Sequence, residues 1–303
     1  MTSYFVLERP GGQIGLRVFA GACSPLCLWL PGKTGNFDTV LAGDPRNPKW
    51  LLADAGATVY AMDYRTHFAA DDRWGLDVLV ADVAAAVDAV RARHGLQQIV
   101  LIGHSTGAKL AYLYAARHPR ALAGLVVLDG WLCGPPHLPP VPAPAPPRLS
   151  HEAAIPANRR EQFIAYLRHS LTSEDGAPAG RMAGPMATEE SLDTLLRCVL
   201  LGDRFWPLLA EREVRAVAEE EIARVKTPLL NIIAKDRGHA FTERSLHTGR
   251  LARNALRREV MLDGFGHLDL VVGCHLGMTV CRPILDWIAD LQLSAPRGNI
   301  VRA

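Results

Sequence analysis

The sequence is poor in features that mark several large classes of protein. Its 303 residues include six cysteines and 7% aromatic residues. None of the cysteines forms a C-x-x-C pair, which argues against a disulfide scaffold or a structural zinc site. We expect reduced thiols, most of them in the core. The chain also has no G-x-G-x-x-G or other phosphate-binding loop, and we predict neither a metal nor a cofactor.

An excess of charge of one sign is also missing. The chain has 33 Lys and Arg against 31 Asp and Glu, with a net charge of +2 and no basic block, so we expect no nucleic-acid partner. No apolar run approaches the roughly 18 residues of a membrane span. The opening residues lack the basic and apolar segments of a secretory leader. These absences predict a soluble, cytoplasmic protein.

What the chain does have is a large hydrophobic fraction, 49%. Its apolar residues occur in short continuous runs that alternate with segments of helical spacing. An antiparallel hairpin is expected around Gly11 and Gly12. Short apolar runs then predict strands at 26–30, 58–62, 99–102, 123–128, 228–234 and 258–262. Helical spacing predicts helices at 50–55, 76–93, 108–117 and near 242–256. This alternation is typical of an α/β fold with a mostly parallel sheet and helices on both faces.

The rhythm of strands and helices stops at a proline-rich segment, residues 134–147. Such a segment cannot sustain a helix or a central strand. Helical patterns follow to residue 225, and the α/β rhythm resumes from 226. We predict a core domain of residues 1–133 and 226–303, with residues 134–225 inserted as a helical cap.

The chemistry of the chain centres on Gly103-His104-Ser105-Thr106-Gly107, which lies between a predicted strand and a predicted helix. A sharp strand-to-helix turn exposes the serine hydroxyl and offers backbone N–H groups for the charge that develops on attack. Glycines two residues before and after the serine remove side chains that would clash in the turn. Ser105 is therefore the predicted nucleophile.

A serine nucleophile needs a base, which we expect on the loop beyond the last strand. His267 lies there, in Gly264-Phe265-Gly266-His267. His239 and His275 are weaker rivals because they lie farther from the end of that strand.

The base in turn needs a carboxylate, and the sequence offers several. Asp236 follows the strand at 228–234 and is the first choice. Asp129 ends the strand at 123–128 and remains an alternative. Asp263 and Asp269, close to the histidine in sequence, complete the set.

The oxyanion of the intermediate needs two backbone donors. The Thr106 N–H is the first. The Lys33 N–H, in the loop after the strand at 26–30, is the second, with Thr34 in reserve. The candidate substrate contacts are His104, Trp131, Phe205 and Trp206.

With these residues in place, the chain resembles the α/β-hydrolase superfamily from about residue 12 to 292. The motifs that carry the resemblance are G-H-S-x-G at the elbow, P-L-L-N-I-I-A-K-D at the acid strand and the late G-H-L-D-L. The resemblance implies a serine hydrolase with a catalytic triad. Ser105 separates the chain from the dehalogenase and epoxide-hydrolase branches, whose nucleophile is an aspartate.

Two departures from the family pattern concern loops near the nucleophile. Many members have His-Gly where this chain has Pro31-Gly32, and many have Asp-x-Arg-Gly where it has Asp63-Tyr64-Arg65-Thr66. The sequence therefore does not predict the shape of the oxyanion loop.

The leading expectation is hydrolysis of an ester or thioester of an apolar small molecule. Acyl transfer, lactone formation or carbon–carbon bond hydrolysis would use the same triad. A non-catalytic ligand-binding protein on this fold is the alternative from a different class.

Overall fold

A computed structural model describes residues 2–21, 24–32, 47–65, 75–138, 219–235, 238–253, 256–267, 269–272 and 275–294. The strands are β1 (Thr2–Arg9), β2 (Gly12–Phe19), β3 (Leu26–Leu30), β4 (Thr58–Asp63), β5 (Ile99–His104), β6 (Leu122–Leu128), β7 (Leu229–Ala234) and β8 (Arg257–Leu262). The helices are α1 (Pro48–Asp54), α2 (Leu76–Arg93), α3 (Thr106–Arg117), α4 (His239–Leu251), α5 (Asp269–Val272) and α6 (Arg282–Ser294). A 3-10 turn at Pro119–Ala121 follows α3, and a π-helical segment at Gly277–Cys281 leads into α6.

The described strands form one sheet in the order β1-β2-β4-β3-β5-β6-β7-β8. The β1–β2 and β2–β4 pairs are antiparallel, and all later pairs are parallel. Helices follow the strands in chain order, as crossover connections between parallel strands require. The predicted fold class, a mostly parallel sheet with helices on both faces, is confirmed.

The side chains of the strands alternate between two hydrophobic cores. In β3, Leu26, Leu28 and Leu30 belong to the core shared with α2 and α3, whereas Cys27 and Trp29 belong to the core shared with α1 and α6. Because successive side chains in a strand point to opposite faces, a run such as LCLWL must be apolar throughout when both faces are covered. The sheet is thus buried on both sides.

The strand order reverses direction between β3 and β5. The chain moves outward from β3 to β4, crosses back to β5, and then continues the other way through β6, β7 and β8. Loops at the carboxyl ends of the two strands at such a reversal separate and leave a crevice. The segment after β3 and the elbow after β5 face this crevice.

One helix lies earlier in the chain than the spacing predicts. The expected helix near 242–256 is α4 at His239–Leu251. Gly238, with φ 97°, turns the chain directly before its first residue. Ala252 is extended and fully buried, so the helix stops in time for the chain to reach β8.

The predicted cap falls between β6 and β7, which are neighbouring parallel strands. Most of it, residues 139–218, lies outside the described residues. The cap and the domain boundaries stay predictions.

Three cysteines of the described part of the chain, Cys27, Cys133 and Cys281, are buried and form no disulfide. Burial raises the pKa of Cys27 and Cys281 to about 12, because a thiolate is poorly solvated inside a protein. The Cys27 and Cys281 thiols are therefore protonated at neutral pH, the form that is a poor nucleophile.

Candidate active site

Ser105 lies at the junction of β5 and α3 with φ 55° and ψ −113°. Its N–H donates to the Leu128 carbonyl at 3.1 Å, and its own carbonyl accepts from the Ala108 N–H at 3.1 Å. The backbone is thus bonded to β6 on one side and to α3 on the other. This conformation is rare for a residue with a side chain and is typical of functional sites.

The two elbow glycines are required by close backbone contacts. A Cβ on Gly107 would lie 2.1 Å from the Leu30 carbonyl oxygen and 2.5 Å from that of Pro31. A Cβ on Gly103 would lie 2.6 Å from the Gly107 carbonyl oxygen. Such distances are shorter than van der Waals contact, so neither position accepts a side chain without moving the backbone.

The segment after β3 approaches the nucleophile from the other side of the crevice. A Cβ on Gly32 would lie 3.3 Å from the Ser105 Cβ. The Tyr64 hydroxyl donates to the Pro31 carbonyl at 2.8 Å and fixes the orientation of the Pro31–Gly32 peptide. Lys33 and Thr34, the predicted oxyanion donors of this loop, lie outside the described residues.

The first predicted oxyanion donor, Thr106, is the first residue of α3. N–H groups in the first turn of a helix have no partner within the helix, and they carry its partial positive charge. Ser105 therefore stands at an end of α3 that favours a developing anion.

His267 lies five residues beyond the end of β8 and is buried, with 6% of its surface exposed. Its Nδ1 is 2.5 Å from Oδ2 of Asp129. Asp129 is fully buried, follows β6 directly and has φ 46°. An ionised carboxylate only accepts, so Nδ1 donates to it and Nε2 is left as the basic nitrogen.

The strand register explains why Asp129 is the partner of His267. Leu128 pairs with His104 across β6 and β5, so the residues that follow, Asp129 and Ser105, are level with each other. The Asp129 N–H donates to the Ile232 carbonyl at 2.8 Å, which holds the residue against β7. Asp129 is the alternative that the sequence left open. The first choice, Asp236, lies outside the described residues.

The other acidic candidates have different roles. Asp263 is exposed and pairs with Lys235 at the end of β7. The Asp269 carboxylate accepts the Gly266 N–H at 2.8 Å and so fixes the turn before His267.

The rival histidines do not approach Ser105 through any described contact. His239 is exposed at the start of α4, beside Glu243. His275 is also exposed, and its carbonyl accepts the Thr279 hydroxyl.

The predicted substrate contacts divide into two groups. His104 and Trp131 are described and buried. Phe205 and Trp206 lie outside the described residues. The His104 ring packs against that of His267, with centroids 4.6 Å apart.

Trp131 lies in the loop that follows Asp129. The Lys109 ammonium is 4.6 Å from its ring centroid and the Arg244 guanidinium 5.4 Å. Such cation–π contacts stabilise a buried indole. The ring therefore packs the Asp129 loop against α3 and α4.

Together these residues can perform nucleophilic catalysis. A half-buried elbow serine, a buried histidine with Nδ1 bound to a carboxylate, and a helix N-terminus are the parts that acyl transfer through a serine requires. Within the described ranges, no cluster of three or more His, Cys, Asp or Glu is placed to hold a metal ion. None of the described helices is long and apolar enough to cross a membrane.

Comparison with known proteins finds similar sequences over part of the chain. A family model described as alpha/beta hydrolase fold matches residues 41–165, a range that includes Ser105 and Asp129 and ends before His267. Among curated proteins, epoxide hydrolase B of Mycobacterium tuberculosis is 31% identical over 123 residues, which cover 37% of this chain and 32% of that protein. The chain thus spans about a third of the length of this relative.

Solved structures match over almost the whole chain. Epoxide hydrolase I of potato (Solanum tuberosum) superposes with a TM-score of 0.66 at 18% identity, covering 96% of this chain and 100% of that one. A carboxylesterase structure from Nitrososphaera gargenis superposes with a TM-score of 0.61 at 16% identity, covering 95% and 99%. At these identities the likeness concerns the fold.

Proposed function

The chain has the α/β-hydrolase fold, and from this premise we propose that it is a serine hydrolase with the triad Ser105, His267 and Asp129. The observation that carries the proposal is the bond between His267 Nδ1 and Asp129 Oδ2, formed by two buried residues beside the elbow. Burial of both partners favours a triad, because such an ion-pairing arrangement is costly to maintain without a role.

The proposed reaction cleaves a carboxylic ester or thioester in two stages. Ser105 Oγ attacks the carbonyl carbon while His267 Nε2 takes the hydroxyl proton. The tetrahedral intermediate then breaks the bond to the leaving group, which receives that proton from His267. Water then attacks the acyl carbonyl while His267 Nε2 takes its proton. The bond to Ser105 Oγ breaks, His267 returns that proton to Oγ, and the acid is released.

Asp129 contributes to this reaction through His267. Its carboxylate holds Nδ1–H, which keeps Nε2 unprotonated and directed away from Asp129. It also stabilises the imidazolium that exists between the two proton transfers. A neutral amide at this position would accept a bond but would not offset that charge.

We place the oxyanion against the N–H groups of Thr106 and Lys33. Support comes from Thr106 as the first residue of α3 and from the close approach of Gly32 to Ser105. The bond from Tyr64 to the Pro31 carbonyl restrains the loop that leads to Lys33. Donors fixed before the reaction stabilise charge without reorganising.

Ser105 favours an acyl substrate over an epoxide, despite the epoxide hydrolases among the similar proteins. Attack by a serine oxygen on an epoxide carbon would give an ether. An ether has no carbonyl carbon for water to attack, so the enzyme would not turn over. We propose an apolar acyl or ring-bearing group as the substrate, because the predicted cap, residues 134–225, is rich in Leu and contains Phe205 and Trp206.

The test of the nucleophile is labelling by a fluorophosphonate, which reacts with activated serines. We expect a single adduct on Ser105 by intact mass and peptide mapping, and hydrolysis of p-nitrophenyl esters or acyl thioesters by the unlabelled protein. Ser105→Ala is the control. It should form no adduct, and its kcat for hydrolysis should fall by roughly 10⁶-fold, as expected for a full triad. An adduct on another serine, or no adduct on a folded wild-type chain, contradicts the proposal.

The test of the acid compares two substitutions. We expect Asp129→Asn to lower kcat by roughly 10³–10⁴-fold, because the amide removes the charge that stabilises the imidazolium. Asp236→Asn, at the position that the sequence favoured, should stay within about tenfold. Circular dichroism and urea unfolding establish that both variants are folded. The reverse ranking would assign the acid to Asp236.

A further inference from the structure

His104, the residue before the nucleophile, is the buried titratable group of the site to which the proposed mechanism gives no role. It ends β5, and 3% of its surface is exposed. Its Nε2 lies 3.1 Å from the backbone carbonyl oxygen of His267, 163 residues later in the chain. Because a carbonyl only accepts, Nε2 is the protonated nitrogen and donates this bond.

The two imidazoles also pack against each other. Their centroids are 4.6 Å apart and their planes are inclined by 31°. A flat ring at this distance limits the rotation of the His267 side chain. His267 is therefore restrained at Nδ1 by Asp129 and on its ring by His104.

The backbone around His267 is restrained in the same way. The preceding residue, Gly266, gives its N–H to the Asp269 carboxylate at 2.8 Å. The carbonyl of His267 itself accepts from His104. A side chain therefore holds the loop on each side of the base, and His104 connects that loop to the strand carrying the nucleophile.

The His104 ring is itself closely packed, which limits its movement. A Cβ on Gly32 would lie 3.2 Å from His104 Nδ1, so the backbone of the segment after β3 passes beside the second ring nitrogen. The ring is thus placed among the nucleophile, the base and the oxyanion segment. Proton transfer from Ser105 depends on the distance to His267, and a misplacement of about 1 Å costs roughly 100-fold in rate.

We propose that His104 is a positioning residue. It holds His267 in register with Ser105, because it donates a hydrogen bond to the His267 carbonyl and packs on the His267 ring. This rests on the proposed function only for its effect on rate, since the restraint of His267 exists whatever the substrate is. It differs from the expectation, drawn from the sequence, that His104 contacts the substrate.

Two substitutions separate the hydrogen bond from His104 to the His267 carbonyl from the packing of the His104 side chain. His104→Gln keeps an amide N–H donor at a reach similar to that of Nε2, whereas His104→Leu keeps apolar volume and removes the donor. With a p-nitrophenyl ester we expect His104→Leu to lower kcat by roughly 10–100-fold with KM within about twofold. His104→Gln should recover most of this loss. His118→Leu is the matched control, because His118 also stacks on a ring at 4.6 Å, that of Tyr114, but away from the site.

A spectroscopic measurement reports the restraint directly. The Nδ1 proton that His267 shares with Asp129 should give a low-field proton resonance, assigned by its loss in His267→Gln. We expect the resonance to persist in wild type, His104→Gln and His118→Leu, and to broaden or vanish in His104→Leu as the pair opens to solvent.

The outcomes are distinct from those of the proposed function. A rise in KM at unchanged kcat would mean that His104 contacts substrate, and a His104→Gln variant as impaired as His104→Leu would remove the bond as the cause; either overturns the inference. If wild type forms no fluorophosphonate adduct, the proposed function fails. The resonance of His104→Leu then still decides the positioning role, which a persistent signal would overturn.

Discussion

At the scale of single residues, strain is concentrated in the candidate site. Among the described residues, the non-glycine residues with positive φ are Leu96, Ser105 and Asp129. Two of these three are proposed triad members, each directly following a parallel strand. Such conformations cost about 1–3 kcal/mol each and persist where the surrounding structure holds them. Here the surrounding structure includes the elbow glycines.

Gly107→Ala tests the elbow. The new Cβ would meet the Leu30 carbonyl oxygen at 2.1 Å, and backbone at that distance cannot yield without moving β3 or α3. We expect a loss of about 2 kcal/mol or more in the free energy of unfolding, measured in urea, and a fall in activity of at least tenfold.

Gly75→Ala is the control for that substitution. Gly75 has φ −92°, and a Cβ there meets nothing within 4 Å. It should change stability by less than about 1 kcal/mol. Equal effects at the two positions would show that close contact at the elbow does not govern the outcome.

At the scale of elements, the loop after β6 is anchored to α4 by one threonine. Thr248 Oγ1 accepts the N–H groups of Leu132 and Cys133, each at 3.1 Å, and donates to the Cys133 carbonyl at 2.8 Å. Trp131 packs against Arg244 of the same helix. The helix thereby fixes the loop that begins with Asp129.

Thr248→Val preserves shape and removes all three bonds. Buried polar groups that lose their partners cost about 1–3 kcal/mol each before relaxation, and we expect a loss of about 2–4 kcal/mol in the free energy of unfolding. Activity should also fall, because the loop carries Asp129. Denaturant unfolding and ester hydrolysis measure the two effects.

Thr279→Val is the matched comparison for the threonine anchor. The Thr279 hydroxyl makes one exposed bond, to the His275 carbonyl. We expect a change below about 1 kcal/mol. If Thr248→Val were as mild, the anchor would be unimportant.

At the scale of the whole molecule, a buried ion pair joins distant parts of the sheet domain. The Asp82 carboxylate of α2 accepts two bonds of 2.5 Å from Arg65, just beyond β4. Arg9 of the β1–β2 hairpin adds a third at 3.3 Å, and Arg65 also donates to the Pro10 carbonyl at 3.0 Å. The hairpin, the fourth strand and the long helix are therefore held at one point.

Asp82→Asn should be strongly destabilising. It removes the carboxylate charge that faces the Arg65 guanidinium, which is 2% exposed, and breaking a buried pair from one side costs roughly 3–5 kcal/mol. Asp286→Asn removes an exposed partner of Arg282 and should cost under about 0.5 kcal/mol. Thermal and urea unfolding compare the two, and similar losses would contradict the assigned importance of the buried pair.

Much of the fold could be predicted because it depends on local patterns. The helix expected at 76–93 is α2 with the same bounds, since apolar residues at helical spacing need only one face of the sheet to pack against. The strand ends were predicted within about two residues because apolar runs end at polar or turn-forming residues. The glycines of the elbow were assigned to close contacts, which the structure now shows at Leu30 and Pro31.

The hydrogen-bond partner of His267 was not decided by such patterns. Asp129 and Asp236 both follow buried apolar runs, and the sequence ranked Asp236 first with Asp129 as the alternative. The choice depends on which strand lies beside the elbow and on the register that makes Asp129 level with Ser105.

The sequence by itself determined the alternation of strands and helices, the turn that carries Ser105 and the loop that carries His267, because each is encoded by residues close together in the chain. Only the tertiary structure decided that His267 bonds Asp129 and packs on His104. Those contacts join residues 138 and 163 positions apart. They exist because the order and register of the parallel strands bring separate loops to one edge of the sheet.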